Sequence, residues 1–130
     1  MNISLRDRAD PIYPENSFNS IWYATRMLIT SGSMFKLEYN LPRRWGKTHL
    51  CGKLMEEFEN VIYIASNDNM CKYFCSTYGY ITRTFSANYI LDCLRGRIIN
   101  YILFDEVSSV QVNNVLSYVH PKGYLAVRSL

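Results

Sequence analysis

A lysine beside a threonine, and two adjacent carboxylates much further along, are the residues of this chain best suited to chemistry. Gly46-Lys47-Thr48 follows Leu41-Pro42-Arg43-Arg44-Trp45, and Ile102-Leu103-Phe104 runs straight into Asp105-Glu106. The first group suits a phosphate. Amides at a helix start and the positive end of the helix dipole attract an anion, a lysine there reaches terminal phosphates, and a threonine hydroxyl can hold Mg²⁺. On this reading Arg44, Trp45, Gly46, Lys47, Thr48 and His49 form the cofactor-binding segment for ATP, and Thr48 with Asp105 holds Mg²⁺. The acidic pair supplies the counter-charge, with Asp105 supporting the metal shell and Glu106 polarising the attacking water as a catalytic residue. The strict pattern GxxxxGK[ST] would place a glycine at position 41, where this chain has Leu41, so the motif match is partial.

Each of these residues also has a plainer reading. Gly46-Lys47-Thr48 could be a helix start with a solvated lysine, Arg43-Arg44 a surface pair, and Asp105-Glu106 a strand-ending turn ahead of a helix capped by Ser108 or Ser109. The order of the two motifs and the apolar strand between them favour the phosphate site. Cys71 and Cys75 share one helix face, but a zinc site needs two more ligands, and His49 and His120 are isolated. The His49 and His120 side chains are read as structural or solvent-facing rather than as catalytic bases. Eleven tyrosines could stack on single strands, yet basic residues do not interleave with them, so packing is the reading adopted. Arg95-Gly96-Arg97 is the one other compact basic spot; it could reach a neighbour's phosphate or DNA, but a solvated loop is the reading adopted.

The elements that must position these groups follow from apolar periodicity. Phe18, Ile21, Trp22, Thr25, Leu28 and Ile29 recur at helical spacing until Ser31-Gly32-Ser33. A strand is expected over 34–39, a turn at Asn40-Leu41-Pro42, a helix over 48–58, and a doubly buried strand at Val61–Ala65. Beyond it the pattern gives a helix over 67–77, extended chain over 80–85, a helix over 87–94, a strand over 98–104, a helix over 110–119 and a final strand over 123–127. Strands alternating with helices predict a three-layer α/β fold with a parallel sheet and flanking helices. Phe35, Leu37 and Tyr39 alternate with Lys36 and Glu38, so the second face of that strand is expected to be wet or covered by a partner.

Composition bounds the rest. With 130 residues, 48% of them hydrophobic, the chain can bury one core, expected over 17–130 behind an irregular lead-in over 1–16. Fourteen Lys+Arg against eleven Asp+Glu are scattered, which excludes a basic tail, and any DNA contact would be local. Four cysteines without a CxxC pair and no signal-like opening point to a reducing, cytoplasmic setting. No apolar stretch approaches the roughly eighteen residues of a spanning helix, so no membrane partner is expected.

The arginine-bearing loop Pro42-Arg43-Arg44-Trp45-Gly46-Lys47-Thr48, together with Ile102-Leu103-Phe104-Asp105-Glu106, resembles the ATPase core of the large terminase subunits that package DNA in tailed bacteriophages. The wider class is the P-loop ATPases with a catalytic glutamate beside the second-motif aspartate. The resemblance implies a minimal P-loop NTPase-like fold over about residues 17–130, with Walker A and Walker B elements at the two motifs. It assigns Arg43 as a catalytic arginine finger acting in cis on the γ-phosphate region, with Arg44 second, and Ser129 as the small polar coupling residue. It implies host-cell cytoplasm as the setting and DNA, further copies of the chain or a companion viral protein as partners. The chain departs from the family in offering Tyr13, Asn16 and Asn19 where the adenine-contacting segment has glutamine, and in carrying no further acidic cluster for a nuclease. Two other functions stay open: a nucleotide-binding regulatory or interaction module with little turnover, and a small-molecule phosphotransferase, weakened by the lack of an arginine-rich lid.

Overall fold

Ser17 supplies the signal for the first helix: its hydroxyl accepts from the Ser20 amide and starts α1, Phe18–Thr30. The computed structural model describes residues 17–94 and 96–130; the expected lead-in over 1–16, with Tyr13 and Asn16, and Arg95 lie outside the described residues. After α1 the elements are β1 (Phe35–Leu41), α2 (Lys47–Glu57), β2 (Val61–Ala65), α3 (Asp68–Tyr78), a 3₁₀ turn (Ile81–Arg83), β3 (Thr84–Ser86), α4 (Ile90–Leu94), β4 (Tyr101–Asp105), α5 (Ser109–Leu116) and β5 (Gly123–Ser129).

All the strand pairings are parallel, in the order β1-β5-β4-β2-β3. The expected α/β architecture is therefore the one observed. Alternation along the strands divides the core in two. Val61, Tyr63 and Ala65 with Tyr101, Leu103, Leu125 and Val127 pack under α1, α2 and α3, through Ile21, Leu50, Leu54 and Phe74. Ile62, Ile64, Ile102, Phe104 and Ala126 turn the other way, against Ile90, Leu94, Val112 and Val115 of α4 and α5. Because β1 is an edge strand, Lys36, Glu38 and Asn40 can stay exposed while Phe35 and Leu41 are buried.

Several boundaries differ from expectation, each because of specific contacts. Asn40 and Leu41 belong to β1 rather than to a turn, since Leu41 is fully buried and pairs in register with Ser129. The extended stretch expected over 80–85 is broken by the 3₁₀ turn, where the Arg83 guanidinium donates to the carbonyls of Met55 and Phe58 at the end of α2 and of Val61 at the start of β2. The helix expected over 87–94 is only Ile90–Leu94, because Ala87 and Tyr89 instead bond back to the carbonyls of Ala65 and Ser86. The strand expected from Ile98 starts at Tyr101: Ile98 is 93% exposed, and Lys122 bonds to the Asn100 carbonyl ahead of the ladder. Helix α5, expected over 110–119, runs from Ser109 to Leu116, with Ser108 as its N-cap in a capping box with Gln111.

Candidate functional site

In a parallel sheet every strand delivers its carboxyl end to the same edge, and here the chain leaves β1 for β2, skipping the places later filled by β5 and β4. A crevice opens where such a sheet reverses direction. The ends of β1, β4 and β5 meet there, so residues 42–48, 105–106 and 128–129 become neighbours despite their distance in sequence.

The β1–α2 loop is built around a glycine. Gly46 has φ +102° and takes the N-cap position of α2, so it has no side chain with which to cap the helix. The first amides of α2, those of Lys47, Thr48 and His49, therefore have no side-chain cap among the described residues and lie at the positive end of the helix dipole. Arg44 also adopts a left-handed backbone, φ 62°, and the Trp45 amide bonds to the Pro42 carbonyl at 3.3 Å. The Lys47 side chain is buried and folds back, its Nζ donating to the Pro42 carbonyl at 2.9 Å and lying 3.8 Å from Glu106 Oε1.

Asp105 is fully buried at the end of β4. Its Oδ2 accepts from Thr48 Oγ1 at 2.7 Å and from Tyr63 OH at 2.6 Å, while its Oδ1 has no partner among the described residues. Burial lifts the Asp105 carboxyl above its ordinary range; the Tyr63 and Thr48 hydrogen bonds oppose the lift, Glu106 adds to it and Lys47 reduces it. Burial, reinforced by the Asp105 charge, likewise pushes the Tyr63 phenol well above its usual range, so it stays a donor.

Glu106 lies just beyond the strand, half-buried, with φ 59°. A left-handed glutamate is uncommon and costs of order 1–3 kcal/mol unless its surroundings hold it. Here its amide donates to the Val127 carbonyl at 2.9 Å and its Oε1 accepts from Ser129 Oγ at 2.9 Å.

These contacts form two adjoining polar groups, Asp105 with Thr48 and Tyr63, and Glu106 with Lys47 and Ser129. Arg43 and Arg44 join neither: both are exposed at the loop surface, with no hydrogen bond or ion pair to a described residue. Trp45 and His49 turn toward α1, Trp45 packing on Phe18 at 5.5 Å between ring centroids and His49 stacking on the same ring at 5.7 Å. The His49 side chain also approaches Tyr78 OH at 3.4 Å, so among its groups only the backbone amide belongs to the helix start. Arg97 lies over the Phe85 ring, on the far side of the sheet from α2.

Tyr63 is the member of the site that sequence reasoning missed. It was hidden inside an apolar run, and the signal was positional: in the β2–β4 register Ala65 faces Asp105, so Tyr63 shares a sheet face with Asp105 on the diagonal, and the small Ala65 leaves room for the phenol. Among the described residues no cluster of three or more His, Cys, Asp or Glu could hold a metal unaided, and no helix is long and apolar enough to cross a membrane. No protein-family model matches the chain, and no curated protein matches it in sequence.

Proposed function

We propose that the chain binds ATP with Mg²⁺ at the β1–α2 loop and hydrolyses it, as an ATPase serving a nucleic-acid transaction such as viral DNA packaging. The observation that carries this reading is the fully buried Asp105 carboxylate, bonded to Thr48 at 2.7 Å and left with one oxygen unpartnered among the described residues, beside an uncapped helix start. A buried carboxylate oxygen without a donor costs free energy unless something cationic meets it. Oxygen donors alone, a hydroxyl and a carboxylate, suit a hard ion such as Mg²⁺, which takes one or two protein ligands and completes its shell with water and phosphate oxygens. When bound, Mg²⁺ neutralises charge on the terminal phosphates.

The chain's own residues divide the remaining work. The amides of Gly46 to His49 cradle phosphate oxygens, and Lys47 exchanges the Pro42 carbonyl for the terminal phosphates. That exchange frees Glu106 Oε1 from its 3.8 Å pairing with Lys47 Nζ. Glu106 then orients a water and accepts its proton as the water oxygen bonds to the γ-phosphorus and the bond to the departing ADP breaks. Ser129 holds Glu106 for this step. Arg43, exposed at the loop surface and unpaired with any described residue, is available to reach the γ-oxygens, in the same subunit or across an interface between copies. The nucleic-acid part of the reading rests on the resemblance of the two motifs to terminase subunits.

A nucleotide-binding module with little turnover is the second reading, favoured by the engagement of Glu106 Oε1 by both Ser129 and Lys47. Steady-state hydrolysis with and without DNA separates the two. Wild type should turn over ATP and Glu106→Gln should bind it without turnover; equal, negligible rates in both would leave the module.

A further inference from the structure

Three consecutive residues at the end of β5 hold the turn that carries Glu106. The Val127 carbonyl accepts the Glu106 amide at 2.9 Å, and Ser129 Oγ donates to the Glu106 carboxylate at 2.9 Å. Between them Arg128 reaches through to the other face of the sheet, where its Nε donates to the Val107 carbonyl at 2.6 Å and its Nη2 to Glu38 Oε1 at 2.9 Å. Val107 is fully buried and follows Glu106 directly, so the Arg128 bond fixes the exit of the same turn whose entry Val127 fixes. Glu106 sits between the two anchors at φ 59°, a conformation that relaxes unless both ends are held.

The geometry points to Arg128 as a positioning residue for Glu106, keeping its strained backbone, and with it the carboxylate, aimed at the crevice. The guanidinium suits the task because it is always charged and forks: one arm takes a backbone carbonyl while another is steadied by a carboxylate. The Arg128 side chain is 16% exposed and that of Glu38 is 47% exposed. The ion pair is therefore weak support, and the bond to Val107 does most of the holding. Lysine cannot replace this arrangement in full, since its one ammonium would have to leave either Val107 or Glu38.

The inference rests on the reading of Glu106 as the group that acts on water, so its test has two arms. In the kinetic arm, Arg128→Gln is expected to lower kcat by up to about 100-fold, the scale of a small misplacement of a reacting group. KM for Mg²⁺·ATP should stay as in wild type, with Arg128→Lys intermediate and Glu38→Gln close to wild type. In a Glu106→Gln background the Arg128 substitution should have no further effect on the residual rate. In the second arm, the three-bond amide coupling and Hα shift of Glu106, read by NMR on the nucleotide-free protein, should leave their left-handed values in Arg128→Gln. This arm needs no turnover, so an inactive wild type would overturn the ATPase reading while the coupling still decides the role of Arg128. If Arg128→Gln does not fold, Arg128→Lys carries both arms, with smaller changes in the same directions. Wild-type kcat together with an unchanged Glu106 coupling, or equal losses in kcat and nucleotide affinity, would overturn the positioning role.

Discussion

Asp105→Asn should make the nucleotide-free protein more stable, and saturating nucleotide should cancel part or all of that gain. Asp105 is fully buried, its Oδ1 has no partner among the described residues, and burial holds its carboxyl above the ordinary range. The folded chain therefore grips this proton more tightly than the unfolded chain, whose carboxyl titrates near 3.9. Between the unfolded and the folded pKa the native state binds more protons, so stability falls as pH rises through that window, and the penalty is complete above it. One buried polar atom left unbonded costs roughly 1–3 kcal/mol. An asparagine keeps an acceptor for Thr48 and Tyr63 and removes the charge, but its Nδ2 takes the unbonded place of Oδ1, so in mildly alkaline buffer the variant should recover only the part of that cost due to the charge, at most about 3 kcal/mol, a rise of up to about 15 °C in Tm. In buffer more acid than the ordinary carboxylate range both chains are neutral at this position and the difference should vanish. Saturating Mg²⁺·ATP, at about 100 times Kd, should add about 2.7 kcal/mol to wild type alone, which narrows or reverses the order. Differential scanning calorimetry at the two pH values, with and without Mg²⁺·ATP, reads all four quantities. A lower Tm for nucleotide-free Asp105→Asn in alkaline buffer would refute the reasoning, because the buried carboxylate would then be a net stabiliser.

Tyr63→Phe removes one of the two donors to Asp105 Oδ2 and should weaken Mg²⁺-dependent nucleotide affinity by about 10-fold, read by titrating Mg²⁺ at fixed ATP. Arg43→Ala should lower kcat by on the order of 10³ with ATP affinity largely kept; recovery on mixing with Lys47→Ala subunits, which retain Arg43, would show that the arginine acts across an interface. Arg83→Met strips a guanidinium from three carbonyls between the end of α2 and the start of β2 and should cost roughly 2–3 kcal/mol in urea unfolding, without altering the KM of the protein that remains folded.

The layers and the sheet were legible because periodicity reports burial, and Val61–Ala65 and the run into Asp105 have no polar interruption. The charged alternation of Lys36 and Glu38 was also informative, since it marked the strand that became the sheet edge. Where the reading went astray, the deciding contact was distant in sequence. The 3₁₀ turn at Ile81–Arg83 exists to bring a guanidinium to the end of α2, and apolar Ile98 is left in the open by the approach to β4. At the site, Lys47, Thr48, Asp105 and Glu106 could be named from residue type and order alone, and Ser129 from the resemblance. Tyr63 and Arg128 could not, because their partners follow from which strand lies beside which and from the register between them.

Isothermal titration of Mg²⁺·ATP into wild type and Lys47→Ala bears most directly on the central claim. The lysine Nζ now rests on the Pro42 carbonyl at 2.9 Å, and an alanine leaves the loop with its amides but without the cation that meets the terminal phosphates. A Mg²⁺-dependent binding isotherm for wild type and none for a folded Lys47→Ala is the predicted result. The same affinity in both proteins, or no heat from either, would contradict a nucleotide site at this loop.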